Sequence, residues 1–392
     1  MPAQPDDICP RPEKLPPQPT QPQSAPIYLS SVYQCDNPAD AAAMLAGDVP
    51  GHVYRRDGHP NSVLLAEKCR QLHGAEEAAI TASGMAALAL ALVSQCRQGD
   101  HVLISNQMYG RSMSLLGAEA ARLGIGSTVV DTCDLAATAA AFTPATKMLV
   151  VETIANPLLR VADIAGLAKL AHARDALLLV DNTFASPILC RPLELGADLV
   201  LESLSKIMNG HSDVILGLLC GGKSIWERVP SALSTWGWSA APLDCWLTER
   251  GLGTLALRAR QASANALAVA QFLAGRAELE AVYYPGLANH PDHDLAKRQF
   301  GELFGSVVAF TLRGGTAAAA RFIAACRDIP FCPSLGEIST TLTHPESTSH
   351  RGLTPAAREA LGIRGGTIRL SVGIEAAETI VNRLAAGLEA GG

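Results

Sequence analysis

Between Ala78 and Ser203 the chain repeats one pattern, a short apolar run followed by residues with helical spacing, and this restricts the fold more than any other feature. The runs are AAIT (78–81), HVLIS (101–105), STVVD (127–131), KMLVVET (147–153), ALLLVDN (176–182) and ADLVLES (197–203). They are continuous and rich in Val, Leu and Ile, as strands covered on both faces are. Helical stretches such as GMAALALALVSQC, Gly110 to Leu123 and Asp163 to Arg174 separate several of them. That is the βα signature of a doubly wound, mostly parallel sheet with helices on both sides. From about Leu247 the character changes. A long Ala/Leu/Arg pattern over 248–274 leads to the separated runs AVYYP, SVVAFTL and GTIRLSVG. Alternation in TIRLSVG implies a smaller α+β domain with a partly solvated sheet. With 392 residues, 48% of them hydrophobic, the chain has enough material for two such cores.

Composition removes several functional classes. A net charge of −6 and the lack of a basic tract leave no electrostatic footprint for nucleic acid. The ten cysteines are scattered and none forms a C-x-x-C pair, which suits reduced thiols better than a disulfide framework or a zinc site. The start, MPAQPDDICPRPEKLPPQPTQPQSAP, lacks the basic and apolar segments of a signal peptide, and its prolines imply an extended arm. The longest apolar stretches are too short to span a bilayer, so a soluble, cytoplasmic protein is expected.

Two lysines compete for the chemistry. Lys223 ends Gly217-x-x-x-x-Gly222-Lys223-Ser224, which matches the nucleotide-binding P-loop pattern. The intervening Leu218, Leu219 and Cys220 are apolar, however, and read as a continuing buried strand followed by a turn rather than a phosphate cradle. Lys206 follows the run ADLVLES, where partial desolvation would depress its pKa and free the neutral amine as a nucleophile. Ser203 and Ser205 beside it offer hydroxyls to an anionic phosphate. A surface lysine is the bland alternative.

Three further features decide for Lys206. TASGMAALAL carries a strand into a helix through Ser83, Gly84 and Met85, which permits close approach of a phosphate to unpaired N–H groups. ALLLVDNTF ends a buried run in Asp181, placed to pair with a protonated pyridine nitrogen. QMYG sets Tyr109 beyond another strand end, where its ring could stack on a cofactor. All lie at carboxyl ends of expected parallel strands, where open α/β sheets bind ligands. The set fits a pyridoxal phosphate site.

The chain also resembles the Cys/Met-metabolism family of pyridoxal-phosphate enzymes, in the branch of cystathionine γ-lyase and cystathionine γ-synthase. The resemblance is carried by VYRRDGHPN, TASGMAAL, MYG, ETIANPLLRVADI, VDNTFASP, SLSKIMNGHSD, SLGE and IRLSVGIE, in that order. It implies an aspartate-aminotransferase-like, type I fold with an N-terminal arm (1–55), a cofactor domain (56–247) and a C-terminal α+β domain (248–392). It further implies that Lys206 forms a Schiff base with the cofactor and later moves protons. Asp181 would meet the pyridine nitrogen with Thr183 nearby, and Tyr109 would stack on the ring. Gly84, Met85, Ser203 and Ser205 would bind the phosphate, joined by Tyr54 and Arg56 from a neighbouring subunit. Arg369 would hold the substrate α-carboxylate with Asn156 and Ser334. Dimers with shared sites, paired into tetramers, follow from the same resemblance.

Within the family the implied activity is a carbon–sulfur lyase of the cystathionine γ-lyase type, with a γ-replacement transferase as the alternative. A non-catalytic scaffold on this fold should have lost Lys206, Asp181 or Tyr109, and all three are present. Two positions depart from the family. Arg111 follows Tyr-Gly where methionine γ-lyases typically carry cysteine, and could meet an anionic distal group of the substrate or form a structural ion pair. Ser339-Thr340 stands where cystathionine γ-lyases usually have Glu-Ser, with Glu337 two residues earlier and on the same face if the segment is extended.

Overall fold

The computed structural model describes residue 20 and residues 22–391, so most of the proline-rich start, with Cys9, lies outside the described residues. All six apolar runs form strands: β1 (Glu77–Thr81), β2 (His101–Ser105), β3 (Gly126–Val130), β4 (Thr146–Glu152), β5 (Leu177–Asp181) and β6 (Leu199–Ser203). With β7 (Gly217–Gly221) they make a seven-stranded sheet in the order β1-β7-β6-β5-β4-β2-β3. The pairs from β6 to β3 are parallel, and β7 alone runs against both its neighbours. The middle strands are covered on both faces: Met148 to Val151 and Leu178 to Val180 are fully buried. Edge strand β3 is mostly exposed instead, since nothing pairs with its outer side in this sheet.

Strand β7 settles the P-loop pattern. Gly217 to Gly221 lie in register between β1 and β6, and Lys223 follows in an exposed turn whose amide donates to Glu76 at 2.7 Å. No loop remains there to curl around a phosphate. Gly217 is demanded by packing, because a Cβ would run into the Ser83 carbonyl.

The second sheet is antiparallel, with β8 (Leu279–Tyr283), β9 (Val307–Leu312), β10 (Thr341–Thr343) and β11 (Thr367–Ser371) in the order β10-β11-β9-β8. The expectation of a partly solvated sheet holds for edge strand β8, where Glu280 is exposed and Ala281 to Tyr283 are half-buried, but not for β9 and β11, every residue of which is buried. The alternating polar residues of β11 have internal partners in place of water. Arg369 bonds to Asn156, Ser371 accepts from the Gly336 amide, and Thr367 shares a hydrogen bond with Thr311. Buried polar groups that find such partners cost little, so period-two alternation cannot tell an internal polar face from a wet one.

The long helical pattern over 248–274 divides into two helices, Pro242–Leu252 and Leu255–Ala274. The expected helix from Gly110 to Leu123 is one continuous coil interrupted by a π-turn at Leu115–Glu119. Among the described residues no helix is long and apolar enough to cross a membrane.

Candidate active site

Strand register gathers the first group. Parallel pairing of β5 with β6 sets Asp181 beside Leu201, and the turn after β5 folds Thr183 back so that its amide and hydroxyl both donate to Asp181 Oδ1, at 3.0 and 2.6 Å. The same Thr183 hydroxyl accepts from the Ser203 amide at 2.9 Å, tying the ends of β5 and β6 together. Ser203 in turn meets the N-terminus of helix Gly84–Gln95. A Cβ on Gly84 would stand 2.9 Å from Ser203 Cβ, so glycine is required for this approach. Ser83 caps the helix by accepting from the Ala86 amide at 3.1 Å, while the first N–H groups, those of Gly84 and Met85, lack intrahelical partners. Burial raises the Asp181 carboxyl to about 6, against the two bonds from Thr183.

Lys206 is fixed by contacts from three directions. Its amide donates to Ser203 O and its carbonyl accepts from Gly210 N. The loop at Gly336 presses directly on the Lys206–Ile207 peptide. Gly336 has φ of +83°, and a Cβ there would lie 2.7 Å from the Lys206 carbonyl carbon. From the helix Leu255–Ala274, Arg258 donates to the carbonyls of Ile207 and Met208 at 2.8 and 3.0 Å. The ammonium therefore emerges from a rigid backbone. Nζ donates to Ser334 Oγ at 2.8 Å, and burial, aided by the charge of Arg369, lowers its pKa.

Arg369, on β11, lies on the other side of Ser334 from this amine, with 4% of its surface exposed. Its Nη1 donates to Asn156 Oδ1 at 2.7 Å and its Nη2 to the Ser334 carbonyl at 2.8 Å. Nε is buried without a partner among the described residues. Burial lowers its pKa only to about 10, so it stays cationic at neutral pH. A buried guanidinium with an unused N–H suits a ligand carboxylate.

Tyr109 stands at the head of the short helix Gly110–Ser114 with 39% of its surface exposed, and Arg111 is exposed in that helix with no ion-pair partner among the described residues. Tyr54 and Arg56 lie apart from this cluster. Both are exposed, with the Arg56 guanidinium 5.2 Å from the Tyr54 ring centroid. Ser205 does not offer a free hydroxyl, because Oγ donates to Leu216 O at 3.2 Å and accepts from Leu216 N at 3.0 Å. Thr340 is likewise committed, its amide and hydroxyl donating to Glu375 at 2.6 and 2.9 Å, and Glu337 faces Arg258.

Four residues of the site escaped the sequence reading. Glu152, at the end of β4, is buried, and its two oxygens accept from the amides of Tyr109 and Asn156. His350 is buried against the Asn156 backbone and Arg369, where burial drops it to about 4. Arg258 and Gly336 secure Lys206. Glu152 had a local signal, a lone acid closing an apolar strand, whereas the others act across distances that sequence spacing does not encode.

With this geometry in hand, similarity to known proteins is decisive. Residues 11–389 match the family described as Cys/Met metabolism PLP-dependent enzyme. The chain belongs to that family. It is 42% identical to an O-succinylhomoserine sulfhydrylase of Pseudomonas aeruginosa, over 93% of this chain and 90% of the relative. It is 39% identical to an L-methionine gamma-lyase of Pseudomonas putida, over 89% and 88%. The structure of cystathionine gamma synthase from Xanthomonas oryzae in complex with cystathionine superposes with a TM-score of 0.89 at 38% identity, covering 94% of this chain and 93% of the other. The chain is thus a pyridoxal-phosphate-dependent, type I fold enzyme of cysteine and methionine metabolism, a family that acts on small amino acids. The residues present fit the cofactor. A desolvated amine, a strand-end carboxylate and a helix N-terminus that a Cβ on Gly84 would obstruct lie on one rim, and an unsatisfied guanidinium N–H faces them.

Proposed function

We propose that this chain is a carbon–sulfur lyase of the cystathionine γ-lyase type, catalysing γ-elimination and also β-elimination from sulfur amino acids. The observation that carries the reading is the double use of Ser334. Its hydroxyl receives the Lys206 ammonium and its carbonyl receives Arg369, so one residue sets the amine against the guanidinium. Bound pyridoxal phosphate supplies a carbonyl for covalent attachment of the amino group and an electron sink for charge developing at Cα. Arg369 and Asn156 hold the α-carboxylate. Lys206 Nζ, free to lose its proton because of burial, takes a proton from Cα and works next at Cβ. Asp181, braced by Thr183, holds a proton at the pyridine nitrogen. Gly84, Met85 and Ser203 bind the phosphate, and Tyr109 covers the ring. Ser205, whose hydroxyl bonds Leu216, would also face the phosphate by turning that hydroxyl.

A product assay tests the reading. Cystathionine should yield 2-oxobutyrate, whereas pyruvate alone would mean β-elimination only. A second reading, γ-replacement on an O-acylhomoserine, is favoured by the unpaired Arg111 at the site mouth and by the sulfhydrylase relative. A new thioether from O-succinylhomoserine and cysteine, without 2-oxobutyrate, would replace the first reading with the second. Under either, Arg111→Ala should lose preference for anionic over neutral γ-substituents, and an unchanged preference removes that role.

The reading includes a homodimer with shared sites, itself paired into a tetramer, in the cytoplasm. Tyr54 and Arg56 would complete the partner's phosphate site. They stand on a surface that also exposes Ile27, Tyr28, Leu29 and Val32, an apolar face suited to a second copy. Mixed oligomers of Lys206→Ala and Arg56→Ala subunits should regain activity that neither has alone, and no recovery would count against shared sites.

A further inference from the structure

We infer that Glu152 is the positioning residue of the α-carboxylate clamp, acting on Arg369 through Asn156. The inference rests on the assignment of Arg369 and Asn156 to the substrate carboxylate. Glu152 ends β4 directly beside Asp181 in the register of the sheet, and it is 8% exposed. Past it the chain doubles back in a tight loop, closed by the amides of Ala155 and Ala162 donating to Arg160 O and Thr153 O. Asn156 rides on this loop. Its amide donates to Glu152 Oε2 at 3.2 Å, and its side-chain oxygen accepts from Arg369 Nη1 at 2.7 Å. The other oxygen, Oε1, accepts from the Tyr109 amide at 2.6 Å. Glu152 therefore fixes Asn156 against a second, independently folded segment.

The residue type matters. Two backbone N–H groups converge on the side chain, one on each oxygen, and a carboxyl group offers an acceptor at both. Glutamine has the same shape but would turn its NH₂ toward one of the two amides. Burying a carboxylate is expensive unless charge and hydrogen bonds compensate. Here burial and the neighbouring Asp181 outweigh the two N–H bonds and the Arg369 charge and raise the carboxyl to about 8, so the group is held by its two amide bonds rather than by its charge. Holding the Asn156 amide at Glu152 orients Asn156 Oδ1 toward Arg369 and leaves Nε–H as the free donor.

The test uses the cofactor-loaded enzyme and two unreactive ligands that differ only in the carboxylate, norleucine and pentylamine, with binding followed by the cofactor's visible absorption. In the unaltered enzyme norleucine should bind more tightly. In Glu152→Gln the ratio of the two dissociation constants should fall about tenfold, equivalent to ~1.4 kcal/mol, through weaker norleucine binding at unchanged pentylamine binding. Glu152→Asp, which keeps both acceptor oxygens one methylene further back, should recover part of the ratio. It also provides the comparison if the Gln variant fails to fold. A ratio that stays constant in both variants, or a loss shared equally by both ligands, overturns the proposal and leaves the carboxylate assignment standing. If the unaltered enzyme itself does not prefer norleucine, the assignment of Arg369 fails and the proposal falls with it.

Discussion

The two rims of the active site are built by different means. On the large-sheet rim, Asp181, Thr183, Ser203 and Gly84 sit at or just past strand and helix ends, so sheet register and one turn place them. On the opposite rim, Ser334, His350 and Asn156 sit on loops, and Arg369 comes from a strand of the second sheet. There, long-range bonds do the placing: Asn156 to Arg369, Gly336 to Ser371, and Ile338 to Gly210. Under the proposed function the first rim would hold the cofactor common to the family, and the second the variable part of the chemistry, the amino acid. A rim made of strand ends changes little when loops change. A loop rim can be retuned without disturbing the sheet.

The largest effect should come from the residue both rims share. Lys206→Ala removes the amine that faces Ser334, and activity should fall by more than about 10³-fold, with the visible band of the lysine-bound cofactor lost. Lys223→Ala, in its exposed turn, should keep both. Next, Arg369→Lys separates the rims. Lysine keeps the charge but cannot bond Asn156, Ser334 and a carboxylate in one plane, so KM should rise about 100-fold while cofactor content stays constant. A parallel loss of cofactor would show that the rims are not separable.

Gly336→Ala tests the contact between the rims. The position is left-handed and a Cβ would press on the Lys206–Ile207 peptide. Destabilisation of about 1–3 kcal/mol is expected, together with a loss of kcat as the lysine shifts. Thermal unfolding beside steady-state kinetics would check it. An unchanged kcat would mean that the backbone bonds to Ser203 and Gly210, with Arg258 on the next two carbonyls, hold Lys206 without the Gly336 contact.

The same contrast explains what could be read from the sequence. Continuous apolar runs identified all six strands preceding Lys206, and the last residues of those runs, with the turns after them, supplied the cofactor rim. Strand β7 was legible as a buried strand ending in a turn, but not its antiparallel direction, because direction depends on pairing that spacing does not encode. Alternation in β11 was misread, since Arg369, Thr367 and Ser371 have polar partners inside the protein instead of solvent. Arg258 reaches Ile207 across 51 residues of sequence, and His350 is buried beside Asn156, nearly two hundred residues away in the chain. Neither has a local signature. Ser205 was placed by its type and its neighbour, yet its hydroxyl is taken by Leu216, a partner eleven residues away.

The smallest effect concerns the cofactor rim without its cofactor. Asp181 is raised from 3.8 to about 6, first by burial, and the neighbouring Glu152 is raised as well, by burial and by Asp181. A carboxyl whose folded pKa exceeds its unfolded value binds its proton better in the native state, so it favours folding where it is protonated. That advantage is lost as pH rises from the unfolded value toward the folded one. For Asp181 the window runs from about pH 4 to pH 6 and continues upward through Glu152, with a ceiling near 3 kcal/mol for Asp181. Solvent in the open cavity reduces this to about 1–2 kcal/mol, a few degrees in Tm. Cofactor-free enzyme should therefore lose part of its stability between pH 5 and pH 8, and Asp181→Asn should flatten that slope and raise the cofactor-free Tm at pH 8. Loaded enzyme should show less of the slope, because a pyridinium beside Asp181 favours the ionised carboxylate. Calorimetry of the two proteins with and without cofactor at both pH values separates these contributions from the rest of the chain. A slope unaffected by Asp181→Asn would mean that the charge on this rim is balanced by the protein alone, with the two Thr183 bonds sufficient to hold the carboxylate before any cofactor arrives.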